Sequence, residues 1–355
     1  MNTVRYLILT LMAGASVCVS QARAEEVSIE KAVLVGVATN PQYGVVANNR
    51  RATDEELDQA KGLFLPSIDA RANAGIERTD NQTTRATGND DENFYPTRAG
   101  ITLTQMLFDG FYAKSEVARQ RARVESAAHR VRETSEFIGL EISESYLEVL
   151  RQRELLQIAQ QNAAEHESMA AQIQNAETAG RTTLGDTAQS QARLAAARAE
   201  VSNVMQALRN AESRYQTAVG TKADILVMPA NPAANVGTNV DEAVEHALAD
   251  GPTLKIYSAD IAVAQEENTQ GGRSFYPQVD LQLNAQTGHD NAGIDGSDHN
   301  YSAQAIANWN LYRGGIDTAL RRELIYRTAQ AKETRAQQGR VVENDVRQTW
   351  AAMVA

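Results

Sequence analysis

The chain contains a single cysteine, Cys18, which excludes an internal disulfide framework and a cysteine-based metal centre. It also has only 7 prolines in 355 residues and 5% aromatic residues, whereas Ala, Gln, Glu and Arg are abundant. This composition favours long, closely packed helices. The formal net charge is −11, and an acidic chain is a poor partner for nucleic acid.

The N-terminus has the pattern of a secretory signal peptide. Residues 1–24 combine an early Arg5, an apolar run over 6–19 and an Ala-Arg-Ala motif ahead of Glu25. The apolar run is shorter than the about 20 residues that a membrane-spanning helix needs. We therefore expect a mature chain that starts at Glu25. Cleavage would remove Cys18 and two of the 34 basic residues but no acidic residue, so the net charge would change from −11 to −13.

Two segments of the chain resemble each other at a constant offset of 211 residues. LFLPSIDARANA at 63–74 and SFYPQVDLQLNA at 274–285 share Phe, Pro, Asp, Asn and Ala at equivalent positions. Further along, the offset becomes 204, where LFDG at 107–110 corresponds to LYRG at 311–314. These matches predict an internal duplication.

The two predicted repeats share one order of elements. The first repeat covers 25–238 and the second covers 239–355. Each begins with a helix, over 27–62 with a break near Asn40-Pro41 in the first repeat and over 240–270 in the second. Alternation of apolar and polar side chains then predicts two strands in each repeat. The predicted strands are 66–78, 97–109, 277–288 and 300–312, and polar loops over 79–93 and 288–300 join the strands of each pair.

A long helical hairpin is predicted over 111–220. Proline is absent from about 111 to 179, and apolar residues recur every seven positions, at Val117, Val124, Val131 and Ile138. This spacing is typical of a coiled coil, here of roughly 70 residues or about 105 Å. A glycine-flanked turn and a returning helix follow, and then a linker over 221–238. In the second repeat the chain stops early in the corresponding helix, so we expect a protein truncated at its C-terminus.

The predicted strands would each have one apolar and one polar face, and the rest of the chain offers nothing to cover the apolar faces. Strands of about 9–11 residues with this alternation are typical of outer-membrane barrels. Unpaired backbone groups in lipid cost several kcal/mol, and the smallest barrels have about eight strands. Four strands would therefore have to oligomerise, giving eight strands in a dimer or twelve in a trimer.

The same hypothesis assigns side chains to the lumen and to the membrane interface. If Ile68 and Val279 face lipid, the polar residues beside them face the barrel lumen. The predicted lumen-lining residues are Asp69, Arg71, Asn73, Glu77, Asp280, Gln282 and Asn284. Aromatic residues at the membrane interface would be Phe64, Phe94, Tyr95, Phe275, Tyr276, Tyr301 and Trp309. Ordinary lining of a hydrated passage accounts for the lumen residues without a specific role in binding substrate.

Together these features resemble the TolC-type outer-membrane efflux proteins, over residues 25–355. The resemblance is carried by the F-x-P and F-Y-P strand starts, the LFDG and LYRGG junctions, the turn sequence AGRTTLGDTAQSQARLAAARAEV and the duplicated order of elements. It implies an α+β membrane protein in which four transmembrane strands per chain contribute to a 12-stranded trimeric β-barrel. Long antiparallel coiled-coil helices would continue this barrel as a periplasmic α-barrel.

The resemblance also implies a function and partners. The chain would form a homotrimeric channel-tunnel in the outer membrane of a Gram-negative bacterium, passively conducting drugs, small molecules or type I secreted proteins. Its partners would be a periplasmic adaptor, an inner-membrane ABC or proton-driven pump, and outer-membrane lipid. The turn would be the periplasmic tip, which contacts the adaptor and narrows the pore with a ring of three aspartates. The tip residues are Gly180, Arg181, Thr182, Thr183, Leu184, Gly185 and Asp186.

Simpler interpretations stand beside these. Asp186 could serve only as the N-cap of the returning helix, with Gln189 as its capping-box partner. A periplasmic coiled-coil adaptor or a trimeric surface adhesin would also use long heptads. The acidic loops and their histidines lack EF-hand or zinc-site spacing, and the sequence has no catalytic constellation. We therefore expect no enzyme activity, no cofactor and no metal centre.

Overall fold

The computed structural model describes residues 26–231 and 239–355. The predicted signal peptide, 1–24, and residues 232–238 of the predicted linker lie outside the described residues. The described residues form two compact units: the first contains the residues up to Gly36 with Gly139–Ala230, and the second contains Val37–Ile138 with the residues from Asn231 onwards. Within the described ranges, no helix combines the length and the apolar character that crossing a membrane would require.

The first unit contains a long helical hairpin and a small parallel sheet. Its elements are β1 (Glu26–Val27), most of α1 (Ile29–Thr39), the C-terminal part of α4 (Tyr112–Thr178), α5 (Leu184–Val219) and β4 (Ile225–Leu226). Polar contacts join the arms of the hairpin: Thr187 to Glu177 at 2.6 Å, and Arg198 to Glu167 at 3.0 Å. A later residue of α5 contacts an earlier residue of α4, so the two helices run antiparallel. β1 pairs in parallel with β4.

Tyr146 lies at the centre of the first unit. Its side chain is fully buried, and its ring centroid lies 6.3 Å from that of the buried Tyr215. The Tyr146 hydroxyl accepts a hydrogen bond from the Val227 N–H at 2.8 Å and lies 2.7 Å from the Val27 carbonyl oxygen and 2.6 Å from the Val227 carbonyl oxygen. One hydroxyl proton serves one of these two carbonyls at a time. Burial raises the pKa of Tyr146, which keeps it a donor, so this residue ties both short strands to α4.

The second unit contains a four-stranded sheet and the helices that flank it in sequence. Its elements are α2 (Pro41–Gly62), β2 (Ser67–Ala74), α3 (Gln82–Thr87), β3 (Thr97–Phe108), the N-terminal part of α4, α6 (Val240–Asp250), α7 (Pro252–Gln270), β5 (Gln278–His289), β6 (Ser297–Asn308) and α8 (Ile316–Val354). α2 begins at Asn40-Pro41, where the Asn40 side chain accepts from the Gln42 N–H at 2.8 Å.

Hydrogen bonds between side chains align α4 with α7. Ser126 donates to Asp260 at 2.7 Å, and Thr253 donates to Glu133 at 2.6 Å. Gln270 donates to Glu116 at 2.5 Å, and Glu116 also accepts from Arg119, whose hydrogen bond is the main cause that lowers the Glu116 pKa to about 2. From one link to the next, the residue number rises along α4 and falls along α7. Polar pairing therefore sets the antiparallel register of α4 and α7.

The sheet has the strand order β2-β3-β5-β6, and every neighbouring pair is antiparallel. Two hairpins, β2 with β3 and β5 with β6, are joined through the central β3–β5 pairing. β2 and β6 are the edge strands, so each has one row of backbone N–H and C=O groups without a strand partner among the described residues. A β-bulge interrupts the β3–β5 register between Met106 and Phe108.

Several predicted boundaries are wrong. The helix expected over 240–270 is broken into α6 and α7, because Pro252 has no N–H to continue the ladder and starts a new helix after Gly251. The loop expected over 288–300 is shorter, because β5 continues to His289 and β6 begins at Ser297. β6 ends at Asn308 rather than at 312, and β2 ends at Ala74 rather than at 78.

The polar segment 79–93 was expected to be a loop but contains α3. Asn81 caps this helix, accepting from the Thr83 and Thr84 N–H groups at 2.8 and 2.9 Å, and Thr84 completes a reciprocal capping box. Gly88 ends the helix in the left-handed conformation with φ of 78°. The Thr84 side chain is fully buried. Local capping thus organises a segment that lacks apolar periodicity.

Replacing Tyr146 with Phe should destabilise the first unit by about 1–3 kcal/mol, because the Val227 N–H and two carbonyl groups lose a buried partner. We expect the Val227 amide to exchange with solvent at least about tenfold faster, as measured by hydrogen exchange. Tyr326→Phe is the control, since Tyr326 is 73% exposed. Unchanged Val227 exchange in Tyr146→Phe would show that the hydroxyl does not hold the strands.

Candidate channel surfaces

The strand register sorts the side chains of the sheet onto two faces, because residues directly opposite in an antiparallel ladder point to the same side. Each set of opposed residues across the four strands forms a rung. The polar face is defined by the rungs Ser67-Thr104-Gln282-Gln304, Asp69-Thr102-Asn284-Ser302, Arg71-Gly100-Gln286-Asn300 and Asn73-Arg98-Gly288-Asp298. Hydroxyl, amide and charged groups dominate these four rungs.

The opposite, apolar face is defined by the rungs that alternate with these. They are Ile68-Leu103-Leu283-Ala303, Ala70-Ile101-Ala285-Tyr301, Ala72-Ala99-Thr287-His299 and Ala74-Thr97-His289-Ser297. The first two rungs are wholly apolar apart from the Tyr301 hydroxyl. Ile68 is 68% exposed and Ile101 is 55% exposed. A single chain therefore leaves an apolar sheet face uncovered.

Six of the seven predicted lumen-lining residues lie in strands on the polar face. Five of them occupy the rungs given above: Asp69, Arg71, Asn73, Gln282 and Asn284. Asp280 lies opposite Met106 on the same face and accepts from Gln278 at 2.9 Å. Glu77 lies beyond the end of β2, in an isolated bridge with Phe94, and accepts from Thr79 at 2.6 Å.

The register adds further residues to the polar face beside the predicted lumen-lining set. They are Arg98, Thr102, Thr104, Gln286, Asp298, Asn300, Ser302 and Gln304. Thr102 donates to Asn284 at 3.1 Å, which links the two hairpins across the central pairing. The alternation of each strand carried the signal for these residues, but the pairing of β3 with β5 was needed to align them.

One predicted interfacial aromatic residue is wrong. Phe94 is only 7% exposed, and its backbone pairs with that of Glu77 through hydrogen bonds of 3.0 and 2.8 Å. The other six are exposed on a single chain: Tyr95, Phe64, Phe275, Tyr276, Tyr301 and Trp309. In residues 26–231 and 239–355, no group of three or more His, Cys, Asp or Glu side chains is placed to hold a metal ion.

The turn between α4 and α5 is closed by backbone hydrogen bonds at the end of α4. The Arg181 N–H donates to the Ala176 carbonyl and the Gly180 N–H donates to the Glu177 carbonyl, both at 2.8 Å. This pair of bonds is the Schellman motif, and it places Gly180 in the left-handed conformation with φ of 70°. The tip segment 180–186 is therefore a defined turn.

Asp186 does not occupy the N-cap position that the simpler interpretation gave it. Thr183 is the N-cap of α5, and its hydroxyl accepts from the Asp186 N–H at 3.2 Å. Asp186 is the third residue of the helix, and its carboxylate accepts from the Thr183 N–H at 3.0 Å, completing the capping box in place of Gln189.

The Asp186 carboxylate is fully exposed but well supplied with donors. The Thr183 and Thr182 hydroxyls each donate to it at 2.7 Å. These two hydrogen bonds, followed by that from the Thr183 N–H, lower the Asp186 pKa to about 2. The tip therefore presents a carboxylate that stays ionised at any physiological pH.

A family model described as outer membrane efflux protein matches residues 37–221, slightly more than half of the chain. The outer membrane efflux protein BepC of Brucella suis is 26% identical over 288 residues, which cover 79% of this chain and 60% of BepC. The chain thus spans about 60% of the length of this relative.

Solved structures show a similar fold. The crystal structure of CusC has a TM-score of 0.75 at 11% identity, covering 92% of this chain and 75% of CusC. The outer membrane protein VceC of Vibrio cholerae has a TM-score of 0.75 at 12% identity, covering 92% of this chain and 79% of VceC. The polar and apolar sheet faces, the long hairpin and the match over 37–221 lead to one conclusion: the chain belongs to the outer membrane efflux protein family.

Proposed function

We propose that the chain is the subunit of a homotrimeric channel in the outer membrane of a Gram-negative bacterium, with a periplasmic helical tunnel. The observation that carries this proposal is the separation of polar and apolar side chains on a sheet with two open edges. In hydrocarbon each unpaired edge group costs several kcal/mol, so the edges must pair with other copies. Two copies would supply eight strands and three copies twelve, and the resemblance to the TolC-type proteins favours the twelve-stranded trimer.

Conduction in this proposal is passive. The polar face lines the lumen, with Asp69, Arg71, Asn73, Gln282 and Asn284 among the residues that contact the permeating solute and water. The family membership and the efflux proteins that the chain resembles support this role. An inner-membrane ABC or proton-driven pump supplies the energy, and drugs, small molecules or secreted proteins are the cargo. The duplicated order of elements gives each repeat one hairpin of the barrel.

The tip segment 180–186 is the proposed contact with a periplasmic adaptor. Its Schellman turn and capping box present a fixed surface, which favours docking without a large ordering cost. In the trimer the three Asp186 carboxylates form the proposed ring, where permanent negative charge attracts cations and narrows the entrance electrostatically.

Adjacent residues of β5 test the membrane assignment. Leu283 lies on the apolar face and Gln282 on the polar face. Leu283→Lys places a charge in the middle of the hydrocarbon layer at a cost of about 2–4 kcal/mol per chain, whereas Gln282→Lys places it in a hydrated lumen. After expression in a Gram-negative host, we expect Gln282→Lys to fractionate with the outer membrane as a heat-modifiable trimer and Leu283→Lys to fail to assemble.

Other outcomes would contradict the proposal. Equal assembly of the two lysine variants would show that the apolar face does not contact lipid. Recovery of the unaltered chain as a soluble periplasmic monomer would favour a coiled-coil adaptor, and display on the cell surface without conductance would favour an adhesin.

Asp186→Asn tests the proposed ring in planar bilayers. Asn keeps an oxygen that accepts from the Thr183 N–H, so the turn is retained while the charge is lost. We expect block of the channel by divalent cations to weaken in this variant. In the unaltered chain the block should be constant from pH 7 to about pH 4 and should weaken only as the pH falls towards the Asp186 pKa of about 2.

The direction of the pH effect on the stability of the turn follows from the lowered Asp186 pKa. Ionised Asp186 stabilises the turn fully above the ordinary carboxyl pKa, and this contribution is lost as the pH falls through about 2. Asp186→Ala is the companion variant, because it removes both the charge and the capping acceptor. If Asp186→Asn leaves the block unchanged while Asp186→Ala loosens the tip in hydrogen exchange, Asp186 serves the turn and not the pore.

A further inference from the structure

The apolar face extends furthest at the loop end of the first hairpin, β2 with β3, where the β2–β3 connection lies. The ladder register continues beyond the strands, since the Gly75 N–H donates to the Pro96 carbonyl at 3.1 Å. This register places Ile76 opposite Tyr95, one rung beyond Ala74 on the apolar face. Ile76 is 73% exposed and Tyr95 is 63% exposed.

On the second hairpin, β5 with β6, the apolar side chains end earlier. The last wholly apolar positions are Ala285 and Tyr301, which share a rung with Ala70. That rung lies six residues along β2 from Ile76, or three rungs of the same face. The apolar surface therefore ends six residues earlier on the second hairpin than on the first.

Beyond Tyr301 the second hairpin presents polar pairs on this face. The His299 ring lies 3.0 Å from the Thr287 hydroxyl, and the His289 ring lies 3.1 Å from the Ser297 hydroxyl. The second ring nitrogen of His289 lies 3.3 Å from an Asp290 carboxylate oxygen, a group that is costly to bury in hydrocarbon. The His299 ring and the two hydroxyls have further hydrogen-bonding capacity that hydrocarbon cannot satisfy. These four residues therefore belong in the hydrated headgroup layer or beyond it.

We propose that the membrane boundary crosses the sheet obliquely, so that lipid chains cover the first hairpin up to Ile76 and Tyr95 but the second hairpin only up to Tyr301. This inference rests on the proposed outer-membrane function and deepens it by assigning the residues at the lipid boundary. His289, Ser297 and His299 lie on the aqueous side of the boundary, although Ala74 on the same rung as Ser297 lies in lipid.

Strand tilt supplies the physical reason for the oblique line. Barrel strands tilt by about 35–45° from the axis, and three steps between neighbouring strands span about 14 Å. A membrane boundary perpendicular to the barrel axis then meets β6 about 10–14 Å earlier along the strand direction than it meets β2. This distance corresponds to about 3–4 residues. Tilt therefore accounts for three to four of the six residues by which the apolar surface ends earlier on the second hairpin, and a protein partner would have no geometric reason to follow this direction.

The helix end of the sheet, opposite the loop end, is displaced in the same direction. β2 starts at Ser67, whose rung partner on β6 is Gln304, but β6 continues to Asn308. Past the end of β6, Trp309 and Leu311 remain exposed, at 58% and 78%. At this end β6 therefore extends four residues further than β2, the direction expected for a lipid band of constant height, whereas β3 already reaches Phe108, opposite Val279.

The height of the band fits a bilayer. Along β3 and the two residues ahead of it, the apolar face runs from Leu107 back to Tyr95, twelve residues apart. Twelve residues span about 41 Å along a strand, which a tilt of 45° reduces to about 29 Å. The hydrocarbon core of a bilayer is about 30 Å thick, and the apolar band of outer-membrane barrels is about 25 Å tall.

Ala74 and Ser297 provide a matched test, because they share a rung and a face but lie on opposite edges of the sheet. Single cysteines, Ala74→Cys and Ser297→Cys, would be introduced with Cys18→Ser, spin-labelled and reconstituted in vesicles of outer-membrane lipid. Their depths would be measured from relaxation by oxygen and by a water-soluble nickel chelate. We expect the label at Ala74 to lie about 8–10 Å deeper than that at Ser297, from three strand spacings and a tilt of 35–45°.

Two further positions separate failure of this inference from failure of the proposed function. Leu283→Cys reports the centre of the apolar face, and Asn73→Cys reports the polar face beside Ala74. If Leu283 contacts oxygen-rich lipid but Ala74 and Ser297 have equal depths, the oblique boundary is overturned and the membrane assignment stands. If Leu283 is as accessible to nickel as Asn73, the proposed function fails and the boundary fails with it.

Discussion

The pairing register of the four strands is the constraint on which the assignment of the two faces depends. Side chains alternate along a strand, so a slip by one residue would exchange the polar and apolar faces. Near the helix end the bulge at Leu107 adds one residue to β3, so that Phe108 lies opposite Val279 on the apolar side. Phe108 then makes edge-to-face contacts with Phe111 and Tyr276, at centroid distances of 5.4 and 6.3 Å. The bulge thus directs an aromatic ring to the junction between sheet and helix.

Alternation made each strand predictable, but not the way in which the hairpins join. The central pairing of Thr102 with Asn284 links residues 182 positions apart, and no local pattern specifies such a contact. The ends of the second hairpin were misjudged for another physical reason. At His289 and Ser297 the paired strands have polar side chains on both faces, and such a sequence looks like that of a loop.

Helix ends can be predicted from local sequence, whereas the two shortest strands cannot. The break at Gly251-Pro252 was accessible from the sequence, because the offset of 211 maps it onto Asn40-Pro41. The capping box at the tip was also accessible, since Thr183 precedes Asp186 by three residues. β1 and β4 were not accessible, because two-residue strands have no periodicity and depend on one distant hydroxyl, that of Tyr146.

Both sheet-to-helix junctions contain a residue with positive φ, but the residue type differs. Under the offset of 204, Phe111 corresponds to Gly315, and both have positive φ, 69° and 84°. This conformation costs a non-glycine residue roughly 1–2 kcal/mol. Edge-to-face contacts of Phe111 with Phe108 and Tyr276, each worth about 0.5–1.5 kcal/mol, offset a cost of that size. At the second junction Tyr312 is 83% exposed, and glycine avoids the strain instead. Aromatic packing therefore helps to hold the first junction, whereas backbone freedom alone permits the second.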